Sequence, residues 1–224
     1  MRLLTIETST LTESIAVVDG GIVVAEERAQ AGRGHAERLV DAVSSVLGRA
    51  RLDLRDLDGI AVSIGPGRWS GLRVGLASAK GLAVATGLPL YPVRTLEALA
   101  LSAREEEHLV CPMLDARRGE VYAALFRLLG ERVRLLPDTA ASPAALARTV
   151  GDLAVDEPVV FVGPGAAAYA AEIGGVLGQR AVFPPGAIPV PLPAALSAIA
   201  IEQAALSPRG ADRASLEPWY LRGI

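Results

Sequence analysis

The chain has 224 residues, 51% hydrophobic and 21% charged, with a formal net charge of −3. So much apolar surface with so little net charge excludes intrinsic disorder, and the slight acidity argues against a chain whose main task is to hold nucleic acid, which requires a basic face. The single cysteine, Cys111, excludes an internal disulfide; lying in the run Leu109-Val110-Cys111-Pro112-Met113, it reads as a buried core thiol in a protein of a reducing cytoplasm.

The hydrophobic period changes in a regular order along the chain. Arg2–Glu7 is a short apolar strand, with no apolar stretch long enough for a signal peptide. Ser14–Asp19 and Ile22–Arg28 are two more strands, joined through Gly20-Gly21 as a hairpin. His35 to about Arg51 is a helix, with Leu39, Val43, Val46, Leu47 and Ala50 on one stripe. Gly59–Ile64 is a strand running into Gly65-Pro66-Gly67, and Ser70–Thr86 is a helix capped by Ser70 and stopped by Gly87 and Pro89. Leu88–Val93 is a strand, and Thr95–Arg104 is a helix with Thr95 as its cap.

The order then repeats. Leu109–Leu114, Glu120–Leu128 and Glu131–Leu136 are strands, Ser142–Val150 a helix, and Pro158–Val162 a strand running into Gly163-Pro164-Gly165. Ala166–Leu177 is a helix, Ala181–Phe183 a short strand and Pro193–Leu206 a final helix. The stretch Ala181–Ile201 is uncharged and long enough to span a membrane, but Pro184, Pro185, Pro189, Pro191 and Pro193 rule out one satisfied helix in lipid. The fourth strands end alike, Ile-Gly-Pro-Gly at 64–67 and Val-Gly-Pro-Gly at 162–165, which marks a structural duplication. The expected architecture is α/β, two βββαβαβα lobes with mixed sheets, divided into 1–104 and 105–224, with the final helix free to pack back on the first lobe. Ligands of such open sheets bind at the carboxyl ends of the strands, so a cleft between lobes is the default site.

Two turns carry candidate chemistry. Glu7-Thr8-Ser9-Thr10 follows the first strand, and its hydroxyls and backbone N–H groups can cradle a phosphate or simply satisfy the turn. Its equivalent in the second half is Asp115-Ala116-Arg117-Arg118-Gly119. The segment from Ile64 to Ala83 is the most distinctive: Gly71, Gly75, Ser78 and Ala79 clear one helix face of bulk, beside an apolar stripe of Leu72, Leu76, Ala79 and Leu82. It lacks the GxxxxGK[ST] spacing of a phosphate loop. His35 and His108 are the only histidines, with no partner at helical spacing for a metal, and no Gly-x-Ser-x-Gly elbow is present.

These residues carry a resemblance. Leu4-Thr5-Ile6-Glu7-Thr8-Ser9, His35-Ala36-Glu37-Arg38-Leu39, Ile64-Gly65-Pro66-Gly67, Ser70 to Ala77 and Ala79-Lys80-Gly81-Leu82-Ala83 resemble the TsaB (YeaZ) family of tRNA threonylcarbamoyladenosine biosynthesis. Asp115 to Tyr122 and Pro218-Trp219-Tyr220-Leu221-Arg222 are similar more weakly, so the resemblance spans essentially the whole chain. Glu7 stands where the family usually has Asp, and Arg68-Trp69 where it often has Ser-Phe or Ser-Tyr.

The resemblance implies an actin/Hsp70-like (ASKHA) fold and a subunit without catalytic or metal-binding residues of its own. It implies binding to a larger TsaD-like paralogue, which transfers threonylcarbamoyl to the adenosine beside the anticodon, and a TsaE-like ATPase as a further partner. Self-association as a homodimer, contact with tRNA only through the complex, no membrane and no required cofactor follow from it, with ATP or ADP at the complex interface left open. The expected partner surface is His35, Leu39, Val43 and Val46 on one helix and Gly71, Leu72, Gly75, Leu76, Ala79 and Leu82 on the next. On that reading Gly75→Leu weakens partner binding by bulk. Glu7, Thr8, Ser9, Asp115, Gly163 and Gly165 are the expected vestigial nucleotide cleft. The alternatives are a stand-alone ATP-dependent phosphotransferase of the same fold, with Glu7 or Asp115 as base or magnesium carboxylate, or a peptidase-like enzyme.

Overall fold

The computed structural model describes residues 1–30, 35–103, 109–129, 132–186 and 190–221. The chain packs as two compact units, Met1–Ala98 with Val190–Trp219, and Leu99–Pro189 with Tyr220–Ile224.

In the first unit, strands β1 (Arg2–Glu7), β2 (Thr12–Asp19) and β3 (Ile22–Gln30) form an antiparallel meander. Helix α1 (His35–Ala50) leads to β4 (Gly59–Gly65), α2 (Trp69–Thr86) to β5 (Leu90–Arg94), and α3 (Thr95–Leu101) carries the chain from the first unit into the second. The sheet order is β3-β2-β1-β4-β5, with β4 parallel to both β1 and β5. Strand alternation sends Leu4, Ile6, Ile15, Val17, Ile60 and Val62 to one face, where they join Leu39, Val43, Val46, Leu76, Ala79 and Ala83 in a single core. Thr5, Glu7, Ala61 and Ser63 alternate to the other face.

The second unit repeats the plan. β6 (Leu109–Arg117), β7 (Glu120–Arg127) and β8 (Val133–Ala141) are antiparallel, α4 (Pro143–Leu153) leads to β9 (Val159–Val162), and α5 (Pro164–Ala168) with α6 (Ala170–Leu177) leads to β10 (Ala181–Val182). Its order, β10-β9-β6-β7-β8, is that of the first sheet with equivalent strands in equivalent places. Cys111 is fully buried in this core, and burial pushes its thiol well above the ordinary range.

The last helix, α7 (Pro193–Leu206), belongs to the first unit, where it packs across β1, β2, β4 and β5. The chain beyond it bonds to β5 and to the end of β4: the Ala211 N–H donates to the Leu90 carbonyl at 2.9 Å, and the Trp219 N–H to that of Ile64 at 2.7 Å. Among the described residues no helix is long and apolar enough to cross a membrane.

Some local expectations need correction. α2 starts at Trp69 with Arg68 in the cap position, so Ser70 sits inside the first turn instead of capping it. Thr95 is buried with its hydroxyl unpartnered among the described residues, so it does not cap α3. The stretch expected as one helix over Ala166–Leu177 is broken at Tyr169, which leaves helical geometry (φ −119°, ψ 20°) while its side chain packs on the second core. The expected end of α3 at Arg104 and the side chains of His35 and His108 lie outside the described residues.

Candidate functional site

The turn after β1 sits on α2, and glycines make the fit. A Cβ at Gly71 would lie 2.0 Å from the Thr8 carbonyl oxygen, and one at Gly75 would lie 2.1 Å from Thr8 Oγ1. A Cβ at Gly67 would lie 2.4 Å from the Ser9 carbonyl oxygen. These contacts are too close for any side chain, so the glycine pattern seats the strand turn on the helix.

The Thr8 and Ser9 donors and the Thr10 hydroxyl are engaged within the protein. The Thr8 N–H donates to Ser63 Oγ at 3.4 Å, and the Thr8 hydroxyl to the Gly71 carbonyl at 2.9 Å. The Ser9 N–H donates to Glu7 Oε1 at 2.6 Å, and the Ser9 hydroxyl donates to the same oxygen. The Ser9 carbonyl accepts the Arg68 N–H at 2.7 Å, and the Thr10 hydroxyl donates to the Thr12 carbonyl at 2.7 Å. Of the two uses the sequence allowed, phosphate cradle or satisfied turn, the geometry is that of the satisfied turn.

Glu7 is fully buried, and its Oε2 has no hydrogen-bond partner among the described residues. Burial raises its pKa to about 7, against the lowering effect of the Ser9 and Ser63 hydrogen bonds. The carboxyl is therefore mostly protonated below about pH 7 and mostly ionised above it.

The other expected cleft residues lie in the second unit. Asp115 is exposed, and its Oδ1 accepts the Arg117 N–H at 2.8 Å. Gly163 has φ 97°, and a Cβ there would lie 2.5 Å from the Met113 carbonyl oxygen; at Gly165 it would lie 2.9 Å from the Met113 carbonyl carbon. Both glycines seat α5 on β6, a packing role like that of Gly71 and Gly75.

The helix stripes expected to face a partner are turned inward. Leu39, Val43, Val46, Leu72, Leu76 and Ala79 are all buried in the first unit's own core, Leu82 is half-buried against it, and Gly71 and Gly75 lie under the turn. The reason is amphipathicity: the apolar stripe of a surface helix covers its own sheet. The outward faces carry a row of small residues and valines among charged side chains. On α1 they carry Val40, Ser44 and Gly48, and on α2 Ala77, Gly81 and Val84, all exposed. Val84 is 71% exposed, and a Cβ at Gly48 or Gly81 would meet nothing within 4 Å. α1 and α2 pack on each other, and an open groove of about 600 Å³ lined by Ser44, Gly48, Asp53, Arg55 and Ala85 lies where their carboxyl-terminal halves meet. The signal was in the sequence: positions 40, 44 and 48, and 77, 81 and 84, recur at helical spacing opposite the apolar stripes.

The family model for TsaD, tRNA N6-adenosine threonylcarbamoyltransferase, matches residues 6–207. The tRNA threonylcarbamoyladenosine biosynthesis protein TsaB of Bacillus subtilis is 33% identical over 223 residues, covering 99% of this chain and 94% of that one. A crystal structure of a Pseudomonas aeruginosa protein with similarity to peptidase YEAZ superposes with a TM-score of 0.81 at 27% identity, covering 99% of both chains. The ROK hexokinase of Thermus thermophilus superposes with a TM-score of 0.54 at 15% identity, covering 92% of this chain and 100% of that one, a likeness of fold alone. With the duplicated mixed sheets, these likenesses make the fold an actin-like α/β fold of two units.

Proposed function

The chain belongs to the TsaB (YeaZ) family, and on that premise we propose that it serves tRNA threonylcarbamoyladenosine biosynthesis as a non-catalytic subunit that binds a TsaD-type transferase. The observation that carries this reading is the Thr8-Ser9 turn, whose N–H and hydroxyl donors are all spent on the protein itself. With the Thr8 and Ser9 donors spent, the turn offers a nucleotide's phosphates little, and its nearest carboxyl, Glu7, is buried with a raised pKa and closed to solvent, a poor magnesium ligand.

The partner surface in this reading is the outward face of α1 and α2. Small side chains there let a partner helix approach closely, Val40 and Val84 supply apolar area, and Asp53 and Arg55 supply a polar rim. The same face serves a homodimer, which the transferase displaces. A TsaE-like ATPase joins the assembly, no cofactor is required by the chain itself, the complex interface is the place open to ATP or ADP, tRNA is met through the complex, and the setting is cytoplasmic.

The test is reconstitution. With a TsaD-type partner, a TsaE-type ATPase, threonylcarbamoyl-adenylate and unmodified tRNA, turnover is expected to depend on this chain, while the chain alone neither binds nor hydrolyses ATP. Equal turnover without the chain, or ATP hydrolysis by the chain alone, overturns the proposal; the second result supports the phosphotransferase alternative.

A further inference from the structure

The β6–β7 hairpin ends in a turn whose residues do not suit its shape. Arg117 pairs with Glu120 across the ribbon, leaving Arg118-Gly119 as a two-residue loop. Both loop residues have positive φ, 57° and 74°, which is the hand that favours Asn-Gly, Asp-Gly or Gly-Gly. Arg117 before them also has positive φ, 65°, at a register irregularity between Asp115 and Arg117. Two adjacent arginines thus hold a backbone conformation that L side chains other than Asn and Asp rarely adopt.

Within the turn the one ion pair of either arginine, among the described residues, is the long Arg117–Asp115 pair. Arg118 and Gly119 are exposed, and a Cβ at Gly119 would meet nothing within 4 Å. The Arg117 side chain is 72% exposed and lies 3.5 Å from Asp115, whose other oxygen holds the Arg117 N–H. Below the tip the ribbon is anchored, because Met113, Val121 and Ala123 are fully buried in the second core. The result is a rigid arm that carries two cationic forks into solvent. Unfavourable local geometry that persists on a rigid support points to a use for the side chains.

We propose that the Arg117-Arg118 tip is a phosphate contact for RNA, with the guanidiniums engaging successive phosphodiesters. The inference rests on the proposed role in tRNA modification. Planar, permanently charged guanidinium forks match phosphate oxygens bidentately. An exposed tip suits an extended backbone, whereas a free nucleotide needs a concave pocket for its base. With a net charge of −3 the chain has no long-range basic field, so the contact is local and acts once the RNA is placed.

Arg118→Asn separates function from folding. It creates Asn-Gly at the turn, so the variant is expected to be at least as stable as the parent. Binding of unmodified tRNA is measured for the chain alone and for its mixture with the TsaD-type partner, across a salt series, with ATP binding and partner sedimentation in parallel. Weakening of tRNA binding by about five-fold, with a salt slope smaller by about one and unchanged partner binding, is the expected result. Unchanged tRNA affinity in both samples overturns the inference. So does a loss confined to ATP, or a loss of partner affinity with intact tRNA binding, which assigns the tip to a carboxylate on the partner. If the parent chain and the partner do not associate, the proposed function fails, and if the parent binds no tRNA in either sample the role of the tip is overturned as well.

Discussion

Glu7 sets a measurable pH dependence. Its ordinary value is 4.5 and its value in the fold about 7, so between those limits the folded state holds a proton that the unfolded state has lost. Stability is therefore full below about pH 4.5, declines as pH rises through the window and reaches its floor above about pH 7, with a slope of at most ~1.4 kcal/mol per pH unit. Glu7→Gln keeps the shape and cannot ionise. Urea midpoints of parent and variant should converge near pH 5, and the variant should be the more stable at pH 8. Parallel curves would show that Glu7 ionises without cost. Gly75 makes a second case: with Thr8 Oγ1 2.1 Å from where its Cβ would lie, Gly75→Ala is expected to destabilise by about 1–3 kcal/mol, read as a lower denaturant midpoint. An unchanged midpoint would mean that the turn yields freely. The expectation that bulk at Gly75 acts on a partner gives way to one in which it acts on folding.

Among the elements, strands and glycine turns were legible because their signals are local: alternation, Gly20-Gly21, and the repeated Gly-Pro-Gly at 65–67 and 163–165. The helices were legible as helices but not in their orientation. Periodicity says that Leu72, Leu76 and Ala79 share a face; it does not say whether that face meets the protein's own sheet or a partner. Burial energetics decides for the sheet, since each large apolar side chain contributes roughly 1.5–3 kcal/mol when buried. A partner is left with Ala77, Gly81 and Val84, and with Val40, Ser44 and Gly48. Gly81→Leu tests that face cleanly. Its Cβ enters open space, and losing a mid-helix glycine favours the helix by roughly 0.5–1 kcal/mol. The variant should fold with a raised midpoint and lose affinity for the transferase at least ten-fold.

For the whole molecule, duplication was readable from the order of elements, and the two sheets do share one strand order. The return of α7 to the first unit was open in the sequence, because its apolar Leu196, Ile199 and Ala200 fit any apolar surface and no local residue names the sheet they cover. The tail beyond α7 bonds to β5 and to the end of β4. Arg213 donates to the Ala83 carbonyl at 2.5 Å, the Tyr91 hydroxyl donates to the Pro208 carbonyl at 3.2 Å, and the Arg94 guanidinium lies 3.6 Å over the Trp219 ring. Truncation after Leu206 should lower the thermal midpoint by several degrees, since 1 kcal/mol corresponds to roughly 2–4 °C at this size, and promote association through the bared strand. An unchanged midpoint would show the tail to be an ornament of the edge.

The central claim is that this chain works by binding a TsaD-type transferase through the outer face of α1 and α2. Sedimentation velocity tests it most directly, with the chain alone, the transferase alone and their mixture, each for the parent and for Gly81→Leu. The account predicts a mixed complex that replaces the self-associated parent and is lost in a folded Gly81→Leu. A mixed complex that forms equally well with Gly81→Leu, or none with the parent, would contradict it.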